Sequence, residues 1–279
     1  MIVNTEALVI SYTQGSIDFV KLLTPYGKFL CYINKPHRLP SFRKVLNSKA
    51  CFIKVKIYFR TDYFMEITKF PGEILEVEKV KRYSFAGSQK EILRDLVDYM
   101  FNLIDNFSLL GSGEGFCEAT KKLLDFMEKI DREEVEKNIL SEALTMAVEG
   151  FLFKAEGLLP EVRFCSDIHS KPFLLFLPES LFILCPKCFI ERNVSISENT
   201  ESFVMINRKK ALKIINFMKF LHLGDLNNAY TVLTQDIERE GELNIVYLCW
   251  KEYLLRKVFS VLYEVRVEKL LKKRPGLRD

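Results

Sequence analysis

Two cysteines at C-x-x-C spacing, Cys185-Pro186-Lys187-Cys188, are the sharpest local signal in this 279-residue chain. Thiolates held two residues apart on a tight turn after a strand are one half of a tetrahedral zinc site. A second pair of ligands lies upstream, where Cys165 and His169 are separated by three residues and an intervening hairpin-like segment would bring them beside the knuckle. Cys165, His169, Cys185 and Cys188 would then form a closed Cys3His structural zinc site. A redox dithiol, a disulfide, or small buried cysteines are the competing readings of the same residues. Cys31, Cys51, Cys117 and Cys249 fall in apolar runs and read as core. Little else has the pattern of catalysis. Gly111-Ser112-Gly113-Glu114-Gly115 lacks a preceding strand and the Gly-Lys-Ser/Thr ending of a phosphate loop, so it reads as a helix-to-helix connection. His37, His169 and His222 are scattered, and no nucleophile elbow, zinc-protease helix or clustered acid pair occurs, so the chain is not expected to be an enzyme.

Charge is the second signal. The net charge is only +4, yet residues 1–83 hold 14 Lys/Arg against 7 Asp/Glu. From Phe19 to Thr61 there is no carboxylate, while Lys21, Lys28, Lys35, Arg38, Arg43, Lys44, Lys49, Lys54, Lys56 and Arg60 all lie there. Phe19, Tyr26, Phe29, Tyr32, Phe42, Phe52, Tyr58 and Phe59 are interleaved with them. Cations that neutralise phosphates beside aromatic faces that stack bases are how single strands are held without sequence reading. Lys21, Lys35, Arg38, Arg43, Lys44, Lys54 and Lys56 are accordingly the expected DNA contacts. The alternative is a solvated sheet face over an aromatic core.

These residues need elements to position them. Glu6 to Tyr12, Asp18 to Leu23, Lys28 to Ile33, Cys51 to Phe59, Tyr63 to Phe70 and Glu73 to Val80 are short, β-branched and aromatic, and mostly bounded by turn residues. They predict a small closed barrel, best matched by a five-stranded OB-fold over residues 1–82, with Asn34 to Ser48 as a barrel loop. Ser88-Gln89-Lys90-Glu91 is a capping box, and helical spacing follows. Helices are predicted over Glu118 to Ile130, Glu133 to Glu156, Arg208 to Leu221, Leu226 to Ile237 and Leu243 to Leu271. The expected fold is thus α+β, with a helical domain over 83–279 and a Cys-containing, zinc-knuckle-like insertion over 157–202. Seven cysteines, an odd number, and a start without a basic leader or apolar stretch predict a cytoplasmic chain with reduced thiols. The most apolar stretch, Phe173 to Ile190, is broken by Pro178, Glu179, Pro186 and Lys187, and does not read as a membrane span.

Several stretches match a known pattern in order and spacing. Glu6-Ala7-Leu8-Val9-Ile10, Leu22-Leu23-Thr24-x-x-Gly27, and Lys35-x-x-Arg38-x-x-Ser41-x-Arg43 are followed by Phe153-x-x-x-Gly157-x-x-Pro160-x-x-x-x-Cys165 and Phe182-x-x-Cys185-x-x-Cys188. In these the chain resembles the RecO family of bacterial recombination mediator proteins of DNA repair. It departs from that family at Ile168-His169, where a second C-x-x-C cysteine would stand, and at Ile33-Asn34-Lys35-Pro36, which replaces a Gly-Ala run. The resemblance implies a nucleoid-associated, non-enzymatic protein that binds single- and double-stranded DNA and anneals complementary strands. It also implies contact with the C-terminal tail of single-strand-binding protein and, with RecR, help in loading RecA. The acidic, apolar-ended tail needs a cationic pocket, for which Arg208, Lys209 and Lys210 are the candidates. The rival functions are an RNA-binding OB protein, separable by a 2′-OH preference, and a zinc-stabilised interaction scaffold.

Overall fold

Five strands form the first part of the chain: β1 (Ile2–Thr13), β2 (Asp18–Thr24), β3 (Gly27–Ile33), β4 (Cys51–Tyr58) and β5 (Gly72–Arg82). In the computed structural model, which describes residues 1–34, 39–46, 50–62, 70–85, 90–107, 113–131, 137–155, 157, 159, 162–165, 173–177, 182–191, 204–235 and 250, they pair in the order β1-β2-β3-β5-β4. The pairing of β4 back onto β1 closes the sheet into a barrel. All pairings are antiparallel except β3 with β5, where Cys31 and Tyr32 face Gly72 and Glu73. The period of two decides what fills it. Cys51, Ile53, Val55 and Ile57 of β4 point inward with Val20, Leu22, Phe29, Cys31, Ile33 and Ile74, while Lys54, Lys56 and Tyr58 alternate outward. Gly72 has to be small: a Cβ there would stand 2.4 Å from Ile57 Cγ2 and 2.7 Å from Phe59 Cε1, and Phe59 already packs edge-on against Phe29.

The stretch between β3 and β4 is not merely a loop. Leu39–Leu46 is a helix, α1, opened by Pro40 and presenting Phe42 and Leu46, one turn apart, to the barrel core. Asp18, at the start of β2 and almost wholly buried, holds it there. Its carboxylate accepts Arg43 Nε at 2.7 Å and Arg43 Nη2 at 3.0 Å, the Gly15 N–H at 3.1 Å, and the Tyr12 hydroxyl. The guanidinium bonds, then those from Tyr12 and Gly15, keep the Asp18 carboxyl well below the usual carboxylate range despite burial. Tyr12 is pushed up to about 12, by burial and by the neighbouring carboxylate.

Helices α2 (Lys90–Phe107) and α3 (Gly113–Ile130) belong with the barrel, since the two compact units are Met1–Glu133 and Glu134–Asp279. The strand-to-helix change near residue 82 is therefore not the division between units. Polar ties explain why. Lys21 and Lys28 of the barrel meet Asp105 of α2, and Lys81 reaches Asp125 at 2.8 Å and Glu128 at 3.0 Å on α3, where the Tyr83 hydroxyl also donates to Asp125 at 2.8 Å. Because α3 begins at Gly113, Gly113-Glu114-Gly115 is its first turn and not part of the connection expected there. The predicted strand at Tyr63 to Phe70 lies outside the described residues except for Phe70, as do Ser88 and Gln89 of the capping box, whose Lys90 and Glu91 open α2.

In the second unit α4 (Lys137–Ala155) is buried on every side between residues 143 and 153, where all but Thr145 and Glu149 are apolar or glycine. Gly150 lets α6 (Arg208–Leu223) approach closely, since a Cβ there would lie 2.3 Å from Leu221 Cδ1. Gly224, in the left-handed conformation, caps α6, and Asp225 caps α7 (Leu226–Thr234) through the Asn228 N–H. The predicted helix Leu243 to Leu271 lies outside the described residues except for Trp250. That indole packs on Phe153 and Phe217 and donates to the buried Glu149 at 2.8 Å. The insertion is more regular than expected. It forms a four-stranded sheet, β6 (Arg163–Phe164), β8 (Phe182–Leu184), β7 (Phe173–Leu177) and β9 (Val204–Asn207), with a one-and-a-half-turn helix α5 (Pro186–Glu191) after β8. Among the described residues no helix is long and apolar enough to cross a membrane.

Asp18 gives a direct test of the barrel. Its folded-state pKa is depressed, so its stabilisation is complete above the unfolded value of about 3.9 and is lost as pH falls through the folded value. Asp18→Asn is expected to cost about 2–3 kcal/mol near neutral pH, since it weakens hydrogen bonds to a buried charged group. Urea melts from pH 7 to pH 2 should show a shallower acid decline for the variant than for the parent chain. Equal slopes would mean that Asp18 is not the group that acid titrates.

Candidate nucleic-acid face and cysteine centre

The carboxylate-free window of the sequence is not carboxylate-free in space. Residues 84–133 contribute 10 Asp/Glu against 6 Lys/Arg, and β1 and β5 add further acids on either side of β4. Register makes the consequence specific. Lys54 sits between Glu6 and Glu78, and Lys56 lies between Asn4 and Glu76 with its Nζ 3.4 Å from the Glu76 carboxylate. The outer face of β1-β4-β5 is thus a ladder of alternating sign over a shallow depression that these residues line. Such a face has little net attraction for a polyanion.

The other expected contacts separate into three groups. Arg43 is spent on Asp18, and Lys21 on Asp105 at 2.8 Å, although Lys21 remains half-exposed at the barrel surface. Lys44 and Lys54 are exposed and form no ion pair with another described residue, as is also true of Arg60, Lys79 and Arg82, none of which was singled out as a DNA contact beforehand. Lys35 and Arg38 lie outside the described residues.

The aromatics separate more cleanly. Phe29, Phe42, Phe52 and Phe59 are core residues, whereas Phe19 on β2 and Tyr58 at the end of β4 are each 39% exposed and Tyr26 48%, Tyr32 is half-buried, and the aliphatic Leu30 beside it is 42% exposed. Phe19 pairs with Tyr32, and Lys21 with Leu30, directly across the antiparallel β2–β3 ladder, so all four share one outer face. Asp18 turns inward to Arg43, which turns the next residue, Phe19, outward. The alternation Phe19/Lys21 on one strand and Lys28/Leu30/Tyr32 on the next is legible in the sequence and was not used. An exposed phenylalanine paired with a half-buried tyrosine beside a lysine is a surface on which unstacked bases can lie.

The second constellation is built by parallel pairing. β6 and β8 run side by side in the same direction, with Arg163 opposite Phe182 and Phe164 opposite Ile183, so the residues that follow both strands emerge at one end. Those residues are Cys165 and Cys185. The Cys165 N–H donates to the Ile183 carbonyl at 3.2 Å, the Cys185 N–H to Cys165 Sγ at 3.3 Å, and the Cys188 N–H to Cys185 Sγ at 3.5 Å. Helix α5 then returns Cys188, so that all three sulfurs lie within 4.8 Å of one another. Three thiolates about 2.3 Å from a shared zinc ion would stand roughly 3.8 Å apart, and backbone N–H groups aimed at sulfur stabilise the negative charge. The donor set fits a metal ion of zinc's preferences. His169, the expected fourth ligand, lies outside the described residues. Contact with the other two sulfurs, together with desolvation, pushes the Cys188 thiol up to about 11, so binding a metal here would release protons. Cys31, Cys51 and Cys117 are buried thiols with raised pKa, as expected of core cysteines, and Cys249 lies outside the described residues.

No family model matches this chain, and none of the curated proteins matches it in sequence.

Zinc analysis tests the cysteine centre. The chain purified without added metal should carry close to one zinc per molecule, and Cys185→Ser should bring that toward zero while leaving the barrel folded. Elemental analysis paired with thiol titration reads both. A parent chain with no metal and three freely titrating thiols would contradict the assignment.

Proposed function

We propose that this protein is a recombination mediator of the RecO type, which binds single- and double-stranded DNA, anneals complementary strands and, with RecR, helps load RecA onto DNA coated by single-strand-binding protein. The observation that carries the reading is the outer β2–β3 face, where Phe19 and Tyr32 pair beside Lys21 and Leu30. We read the barrel as an OB-fold, a reading supported by its strand order and by α1 between β3 and β4. In such barrels the strand 2–3 face is a common oligonucleotide surface.

The chemistry follows from the two kinds of group present. Aromatic faces accept unpaired bases at a gain of about 1–3 kcal/mol per base, irrespective of sequence. The exposed cations Lys44, Arg60, Lys79 and Arg82 supply phosphate neutralisation and counterion release. A protein that holds one strand by its bases and lowers the charge repulsion of a second brings complementary strands together without consuming nucleotide. The three-sulfur centre takes a structural part in this reading, because a closed zinc site offers no open coordination position for hydrolysis. Arg208 and Lys209, exposed at the start of α6, are the proposed contact for the acidic tail of single-strand-binding protein.

The charge ladder on β1-β4-β5 favours a second role for that face. Alternating Lys and Glu suit a protein surface of matching pattern better than a phosphate backbone, which fits the scaffold reading for that side of the barrel.

Annealing of complementary oligonucleotides, bare and coated with single-strand-binding protein, tests the proposal. Phe19→Ala should weaken single-strand binding by about 1–3 kcal/mol, roughly a 5- to 150-fold loss, and slow annealing, with little change in thermal stability because the residue is partly exposed. Duplex binding should fall less. Lys54→Ala combined with Lys56→Ala should leave single-strand affinity within about twofold. A chain that does not accelerate annealing, or that binds RNA far more tightly than DNA of the same sequence, would refute the reading.

A further inference from the structure

The three sulfurs differ in a way that a purely structural metal site does not require. Cys165 and Cys185 are buried, and each accepts a backbone N–H. Cys188 is half-exposed, and its sulfur meets the other two sulfurs. One donor is therefore open to a small oxidant, with two further sulfurs within 4.8 Å of it. Buried structural cysteines are inert because their sulfur is shielded. This centre has a single sulfur that solvent reaches.

We propose that the Cys165/Cys185/Cys188 centre is a peroxide-responsive thiol switch, in which Cys188 is the sulfur oxidised first and one of the two buried cysteines resolves it as a disulfide. This inference rests on the reading of the three sulfurs as zinc ligands. In the first step the Cys188 sulfur, which a bound metal would hold as the thiolate, attacks one oxygen of hydrogen peroxide. The O–O bond breaks, the sulfur becomes a sulfenic acid and water leaves, so that sulfur is oxidised by two electrons and the peroxide reduced by two. In the second step the sulfur of Cys185 or Cys165 attacks the Cys188 sulfur. An S–S bond forms, the S–O bond breaks, and the hydroxyl departs as water with a proton from the attacking thiol or, where that sulfur is a metal-held thiolate, from solvent. The sum is two thiols and one peroxide giving one disulfide and two waters.

Two of the three donors are consumed together, so the centre cannot keep a metal after oxidation. Neighbouring sulfurs make disulfide formation compete with further oxidation of the sulfenic acid, and a thiol reductant reverses the change. The sheet β6-β8, whose ends the cysteines join, is the part of the second unit that should loosen.

The experiment uses the full chain. Zinc is first measured in the untreated protein, which separates failure of the metal reading from failure of the switch. The chain is then exposed to a small excess of hydrogen peroxide, with released zinc followed by a chromogenic chelator and disulfides mapped by mass spectrometry. The expected result is loss of two thiols and close to one zinc per chain, a disulfide containing Cys188, and recovery of both thiols with dithiothreitol. Cys188→Ser should abolish the fast oxidation, while Cys117→Ser, in the other unit, should leave it unchanged. If untreated protein holds no zinc, the metal reading fails and the switch as stated fails with it. Zinc retained with all three thiols free after peroxide, a Cys165–Cys185 disulfide that forms as fast in Cys188→Ser, or Cys188 passing directly to sulfinic acid would each overturn it.

Discussion

The barrel depends on one buried carboxylate. Asp18 sits at the start of β2 with almost no exposure, and a lone ionised carboxylate in that position would be expensive. Four donors offset the cost: the two guanidinium nitrogens of Arg43, the Gly15 N–H and the Tyr12 hydroxyl. These bonds join the β1–β2 turn, the first residue of β2 and helix α1 at one point. With Arg43 fixed, Phe42 and Leu46 enter the core from α1. With Asp18 turned inward, the period of two turns Phe19 and Lys21 outward. The functional face proposed for the barrel is thus set by the same residue that fixes α1 against its core.

This constraint changes how the basic charge should be weighed. Arg43, in the middle of the carboxylate-free window, serves as an internal counterion, and Lys21, Lys28, Lys56 and Lys81 each meet a carboxylate from another element. Much of the surplus visible along the chain is neutralised by folding. Among the described residues of the first unit, a modest set of exposed cations and the apolar, aromatic β2–β3 face remain. Binding built this way should owe more to base stacking than to net charge, which suits a protein that must hold unpaired strands and release them. Pairs with Asp105 and Asp125 also keep α2 and α3 on the barrel, so the electrostatics of the first unit does structural work before it meets any ligand.

Several parts of this were legible in the residues. Alternation in Lys54-Val55-Lys56-Ile57-Tyr58 identified β4 and its inward set, and the turn residues bounded β2, β3 and β5 to within a residue or two at most ends. Cys185 and Cys188 were recognisable by spacing, and Cys165 was brought to them, though by parallel pairing of β6 with β8 and not by a hairpin. Helix α1 was missed because eight residues with a proline near the start look like a loop until Phe42 and Leu46 have a core to enter. Tertiary contact decided that helix. The acidic neighbours of Lys54 and Lys56 were invisible for a related reason: Glu6, Glu76 and Glu78 are distant in sequence and become adjacent only through strand register. Which aromatics were core and which were surface likewise depended on the face of each strand, not on residue type.

The central claim is that single strands lie on the β2–β3 face and not on the more basic-looking β4 strand. Ultraviolet cross-linking of the full chain to an oligothymidylate, with the adducts located by mass spectrometry, tests it most directly. The account predicts adducts within 18–33, at Phe19 and Tyr32, that disappear when excess unlabelled single strand competes. Adducts concentrated within 51–58, around Lys54 and Lys56, with none at Phe19 or Tyr32, would contradict it.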